Sequence, residues 1–365
     1  MLGEAEFFMI FLMLIDISSL IVMIFFIKMV YGIYNQYKLT PFLIKIYQVF
    51  LAGFYVLLSS ISPFLKNYFA ALITYSISIV VINIATLSEG IFYHTLRTNV
   101  LKKSDIIMLS SLIILKVISL IQDPVEIFVY HGLILRKLHL SFLSLAVSYA
   151  ILAYMTLELI LLVLDIWVKP HLKWLGAGLL LFYLLLIVAF QTINLLSKDK
   201  TISLLLPHIQ TIGILIGFQF LIIVFRKNPR RLILLPVMVR GFLVHTYGGL
   251  IIYRETFFRH DERLLGLASS LVGALIGIVS SLEQEKKIGQ YRVHQLVRTT
   301  IIFYFGKMTI GTIIVNRDNS VLREILGHIV DEFENEVKYI DQGMVTSEEI
   351  SIMERIIERY RVFFE

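Results

Sequence analysis

The sequence predicts a membrane α-helical bundle of seven transmembrane helices, followed by an α/β domain that folds in water on an antiparallel sheet. Three observations predict it. Residues 6–225 carry seven long apolar segments separated by short, charge-bearing turns, with runs near the roughly 20 residues that cross a bilayer. The hydrophobic fraction is 58%, above the roughly 45–50% usual for soluble domains. From Met238 onward the runs give way to alternation, the period of strands with one buried face. The expected divisions are 1–231 for the bundle, 232–342 for the sheet domain and 343–365 for a C-terminal amphipathic helix.

Composition excludes several function classes. The chain has no cysteine, which removes disulfides, thiolate metal sites and a cysteine nucleophile. Its net charge of +6 does not point to nucleic acid, because most bases outside the tail sit in turns, where membrane topology explains them. Met1–Glu6 has no basic n-region, and the apolar run behind it is too long for a cleavable signal, so it reads as the first span. There is no G-x-x-x-x-G-K-[ST] loop, no H-E-x-x-H and no G-x-S-x-G elbow, hence no enzyme signature and no expected cofactor or metal.

The spans fall at about 7–31, 41–64, 67–95, 105–122, 139–164, 174–196 and 205–225. Alternate turns hold Lys28, Lys38, Lys45, Arg97, Lys102, Lys103, Lys169, Lys173, Arg226, Lys227, Arg230 and Arg231 on one side, against Lys66, Arg136, Lys137, Lys198 and Lys200 on the other. The positive-inside rule then predicts an outer N-terminus and a cytoplasmic tail, in a multi-pass protein of the cell membrane. The longest outer turn, Asp123 to Lys137, has room for a re-entrant or interfacial piece but not for a domain. Seven spans in this order describe an architecture, not a function. A retinal protein needs a Schiff-base lysine in its last span, and residues 205–225 contain none.

Polar residues inside the spans are the next signal, since each is costly unless paired or facing a cavity. Asp16 lies twelve residues before Lys28, the first base at the cytoplasmic end of its span, and Lys116 eleven from the cytoplasmic end of its own, a similar depth at about 1.5 Å per residue, and they are a candidate ion pair. Glu89 and Glu158 lie about six residues from the inner ends of spans three and five. Two carboxylates facing one cavity would raise each other's pKa and form a proton or cation site, with His94 lining the same space. The competing reading makes each a packing residue or one drawn to the interface. A proton- or cation-linked transporter is therefore a candidate, although no internal repeat is visible and Pro41, Pro63, Pro170 and Pro207 fall at span ends.

In the tail, 241–246 (GFLVHT) and 250–258 (LIIYRETFF) read as a hairpin about Tyr247-Gly248-Gly249. Asp261–Glu285 reads as a helix with small residues interleaved, suited to close backbone approach. Its stretch Leu264–Leu282 holds no charge over nineteen residues, so an eighth span is the alternative there. Strands follow at about 291–298, 299–305 and 308–315, then an amphipathic helix from Ser320 to Lys338 capped by Asp318 or Asn319. Thr346 and Glu349 form a T-x-x-E capping box before an apolar stripe of Ile350, Met353, Ile357, Tyr360 and Phe364. That last helix packs on its own sheet or serves a partner or a dimer. His245, His294 and His328 lie in elements too far apart in sequence for a metal site and read as satisfied fold histidines.

The order strand, strand, helix, strand, strand, strand, helix, with GFLVHTYGGLIIYRETF in front and NSVLREILGHIVDEFENEV closing, resembles the longin and roadblock superfamily over residues 238–342. It looks most like the longin-type domains of archaeal proteins. The resemblance implies a five-stranded antiparallel sheet with helices on it, used as a non-enzymatic platform that dimerises or binds and regulates small Ras-like GTPases. It carries no catalytic residues. The expected function is thus a receptor-like or anchoring membrane protein whose cytoplasmic domain recruits or regulates a soluble partner such as a small GTPase, or self-associates in signalling as a scaffold. Arg226, Lys227, Arg230 and Arg231 in RKNPRR form a candidate collar for anionic lipid, each base contributing about 1 kcal/mol.

Overall fold

A helix in lipid must satisfy every backbone polar group internally, and its hydroxyls must do the same. The first segment of the chain meets both demands. In the computed structural model α1 runs Glu4–Tyr37, and Ser18 and Ser19 donate to the carbonyls of Leu14 and Ile15 one turn back. The same device serves Thr74, Thr86, Ser88 and Ser111 in later helices. The structure describes residues 4–61, 67–98, 103–122, 125–130, 133–138, 141–167, 237–257, 288–295, 299–337 and 344–364, with short pieces elsewhere.

The chain divides into two units, Met1–Thr95 with Leu101–Leu232, and Leu96–Val100 with Ile233–Glu365. In the first, α1 is followed by α2 (Thr40–Ile61), α3 (Tyr68–Arg97), α4 (Lys103–Gln122) and α5 (Phe142–Ile166). These five are long and apolar enough to cross a membrane. The α1–α2 turn is shorter than expected. Helix α1 continues to Tyr37, Lys38 takes a left-handed φ of 53°, and Pro41 sits in the first turn of α2, where its missing N–H costs nothing. Lys28 and Lys45, expected in that turn, therefore lie within α1 and α2. Helix α3 is capped by Asn67, whose Oδ1 accepts from Phe69 N and Ala70 N, and α5 by Ser141. Between α4 and α5 the chain forms a two-stranded antiparallel hairpin, β1 (Val125–Tyr130) and β2 (Leu133–Leu138). The predicted spans 174–196 and 205–225, the lipid collar Arg226, Lys227, Arg230 and Arg231, and the 261–285 helix lie wholly or mostly outside the described residues.

The second unit is built on a five-stranded antiparallel sheet: β3 (Val239–Thr246), β4 (Ile251–Thr256), β5 (Tyr291–Gln295), β6 (Thr300–Phe305) and β7 (Thr309–Val315), in the order β4-β3-β7-β6-β5. Alternation gives it two buried faces. Val244, Gly311 and Tyr304 share one row, and Phe242, Ile313 and Ile302 the next. Helix α6 (Ser320–Val337) lies over these rows. A Cβ on Gly311 would meet Leu326 and Val330 of α6, and the Tyr304 hydroxyl donates to Asp331. Asn319 caps α6 by accepting from Val321 N and Leu322 N. Helix α7 (Ser347–Tyr360) carries the full capping box of Thr346 with Glu349. It packs back on its own domain. Met353, Ile356, Ile357 and Tyr360 are buried, Phe364 stacks on Phe242 at 6.1 Å, and Arg355 and Arg359 pair with Glu336 and Glu332 of α6.

The opposite sheet face holds Leu243, His245, Thr312, Ile314, Ile301 and Phe303, all buried. His245 is fully enclosed, and neither of its ring nitrogens, nor Thr312 Oγ1, has a hydrogen-bond partner among the described residues. Burial pushes its imidazole down to about 4, so the folded state refuses a proton that the unfolded chain accepts near 6.5. Stability is then complete above about pH 6.5 and falls as the pH drops toward 4, by about 3 kcal/mol in all. His245→Leu is expected to flatten that profile, measured by hydrogen exchange of the sheet amides in the full-length protein at pH 7 and pH 4.5.

Candidate functional site

Lys45 enters the bundle on the second turn of α2 and is almost completely enclosed, at 2% exposure, as is Glu89 on α3. The Lys45 Nζ lies 2.7 and 2.6 Å from the two oxygens of Glu89. Glu89 also accepts from the hydroxyl of Tyr93, one turn further along α3, and the ammonium stands 5.2 Å from the Phe92 ring centroid. Residues 89, 92 and 93 follow the i, i+3, i+4 spacing that puts them on one side of a helix. The carboxylate and one aromatic ring thus converge on the Lys45 ammonium, while the Tyr93 hydroxyl holds the carboxylate from its other side.

A second pair closes α3 against α5. His94 Nδ1 is 3.1 Å from Glu158 Oε1. What brings the helices together is Gly90: a Cβ there would lie 2.7 Å from Tyr154 Cε1 and 3.2 Å from the Met155 backbone. From that contact His94 is four residues on along α3, and Glu158 four beyond Tyr154 along α5. The two helices therefore run in the same direction, as two odd-numbered spans should. Gly90→Ala is expected to cost about 1–3 kcal/mol through overpacking, read as a lower unfolding temperature in nanodiscs. Glu158→Gln, which leaves the packing alone, should cost less.

Of the residues singled out from the sequence, Glu89 and Glu158 lie on the same two neighbouring helices but are each given a base, Lys45 and His94 respectively. Asp16 accepts from Ser60 of α2. Lys116 donates to the carbonyl and hydroxyl of Ser144 and to Ser148 Oγ, two positions one turn apart on α5. Both are buried, and both draw on hydroxyls of neighbouring helices, an economical way to keep charge in lipid. Lys45 is the member that sequence reasoning missed. Its signal was present: it stands four residues inside span 41–64, and Glu89 stands six residues from the end of span 67–95 that the charge pattern predicts on the same side as the α1–α2 turn. Among the described residues no group of His, Asp and Glu is placed to hold a metal.

Comparisons of the chain with protein-family models, with curated proteins and with solved structures found no match.

Proposed function

We propose that the chain is a seven-span receptor-like or anchoring protein whose sheet domain lies in the cytoplasm and recruits or regulates a soluble partner, a small Ras-like GTPase, or dimerises. The reading rests above all on the five-stranded antiparallel sheet, with two strands before residues 258–287 and three strands and α6 after them. A five-stranded antiparallel sheet with a helix on it is what the longin and roadblock resemblance implies, and it supports that reading. The domain acts as a platform without catalysis, and the bundle holds it at the membrane.

The bonding of Glu89 supports this over transport. A carboxylate with both oxygens on one ammonium and a third bond from Tyr93 is held as a helix-to-helix tie, with little capacity left for a moving ion. The test is binding of purified small Ras-like GTPases, loaded with GDP or a non-hydrolysable GTP analogue, to the full-length protein in nanodiscs. Saturable binding that depends on the nucleotide is expected, weakened by His294→Glu with Gln295→Glu on the exposed edge of β5 and unchanged by Glu158→Gln. Absence of binding in both nucleotide states, together with a proton-linked flux in liposomes that Glu158→Gln abolishes, would replace this reading with the transporter.

A further inference from the structure

We propose that the β1–β2 hairpin is a lipid-binding element, resting at headgroup depth on the side of the bilayer where α4 ends and α5 begins. Its tethers are the first argument. Helix α4 ends at Gln122 and β1 begins at Val125; β2 ends at Leu138 and α5 begins at Phe142. Two residues on one side and three on the other reach at most about 3.3–3.6 Å each. The open end of the hairpin is therefore held within a few residues of two membrane-capable helices.

The register supplies the second argument. The three rungs nearest the tethers are Val125–Leu138, Glu126–Lys137 and Ile127–Arg136, and they contain every charge in the hairpin. The three distal rungs, Phe128–Leu135, Val129–Ile134 and Tyr130–Leu133, contain only apolar and aromatic residues. Successive rungs of a ribbon alternate between its two faces, so the three distal register positions assign no charge to either face. A lone two-stranded ribbon is at best marginally stable in water, and this one gains from an apolar surface to rest on.

Lipid is the occupant that fits, and the backbone limits its depth. Each strand of a two-stranded ribbon has one edge whose N–H and C=O groups are unpaired by the other strand, and such edges do not enter the hydrocarbon. The headgroup zone satisfies both demands. Tyr130 belongs to the residue types that gather there and Phe128 to those that bury an apolar face at the boundary with the acyl chains, while Arg136 and Lys137 suit phosphate oxygens.

The absence of native cysteine makes the test direct. Single substitutions Phe128→Cys, Tyr130→Cys, Leu133→Cys and Leu135→Cys in the full-length protein are spin-labelled in nanodiscs, with the exposed Lys307→Cys as the reference. Collisions with oxygen, which partitions into lipid, are compared with collisions with a water-soluble nickel chelate. The expected result is a several-fold drop in nickel accessibility relative to Lys307→Cys with oxygen accessibility retained. Nickel accessibility equal to the reference would put the hairpin in water and overturn the proposal. Shielding from both reagents would overturn it too, assigning the surface to protein, with dilution separating a second copy from the chain's own bundle. Four positions are read independently, so one that fails to fold leaves the others decisive.

Discussion

Lys45→Met is expected to destabilise the bundle by about 3–5 kcal/mol, because it strands the Glu89 carboxylate in a buried site. The measurement is the unfolding midpoint of the full-length protein in nanodiscs or mixed micelles. Glu89→Gln should cost a comparable amount by stranding the ammonium. The informative variant is the double one. With Lys45→Met and Glu89→Gln together no charge remains at this pair, the amide oxygen still accepts from Tyr93, and most of the loss is expected to return, since replacing both members of a buried pair is often nearly neutral. A double variant as unstable as the sum of the singles would mean that the two residues act apart, against a contact of 2.6 Å. The same double variant separates architecture from chemistry: as a tie between α2 and α3, the pair is dispensable once both charges are gone.

Much of this protein is legible in its sequence, and what escapes has a common cause. The five described spans, the tail hairpin, the last three strands and the Thr346–Glu349 box all follow from local signals: run length, alternation, glycine turns and capping spacing. The partners of buried polar groups do not. Choosing Lys45 for Glu89, or His94 for Glu158, requires knowing which helix faces which, and depth alone left Glu89 and Glu158 looking like a pair of acids sharing a cavity. Lys45 was hidden further by its closeness to the α1–α2 turn, because a base four residues inside a span reads equally well as a topology signal. The β1–β2 hairpin was masked by its length. Six residues per strand with few turn residues suggest only an outer turn with room for a re-entrant or interfacial piece until the register is known. For His245 the reading as a satisfied fold histidine agrees with its burial but not with its bonding, since among the described residues neither ring nitrogen has a partner, which became visible only when the sheet was assembled.

Glu334 shows the limit most sharply, and its removal is the second large effect expected. In the sequence it is one acid among several in DEFENEV. In the structure it is buried on α6 and receives Lys307 N at 2.7 Å, Met308 N at 2.8 Å, Thr309 N at 2.7 Å and Thr309 Oγ1 at 2.8 Å. Three successive backbone donors curl around one carboxylate, a nest built for an anion, and it fixes the β6–β7 turn to the helix. Gly306 permits it, since a Cβ there would strike Glu334 and Val330. Glu334→Ala should leave those donors without an acceptor and cost about 3–5 kcal/mol, given that bonds to a charged group contribute about 1.5–3 kcal/mol each and are not additive. Glu334→Gln preserves the shape but turns an amide donor toward N–H groups, and about 2 kcal/mol is expected. Hydrogen exchange of β6 and β7 in the full-length protein reads both, with faster exchange at Met308 and Thr309 before the outer strands respond. Equal protection in Glu334→Gln and the parent chain would mean that shape alone holds the turn. The expected order, parent slowest and Glu334→Ala fastest, instead assigns the hold to charge, which this domain spends inward at its tightest turn.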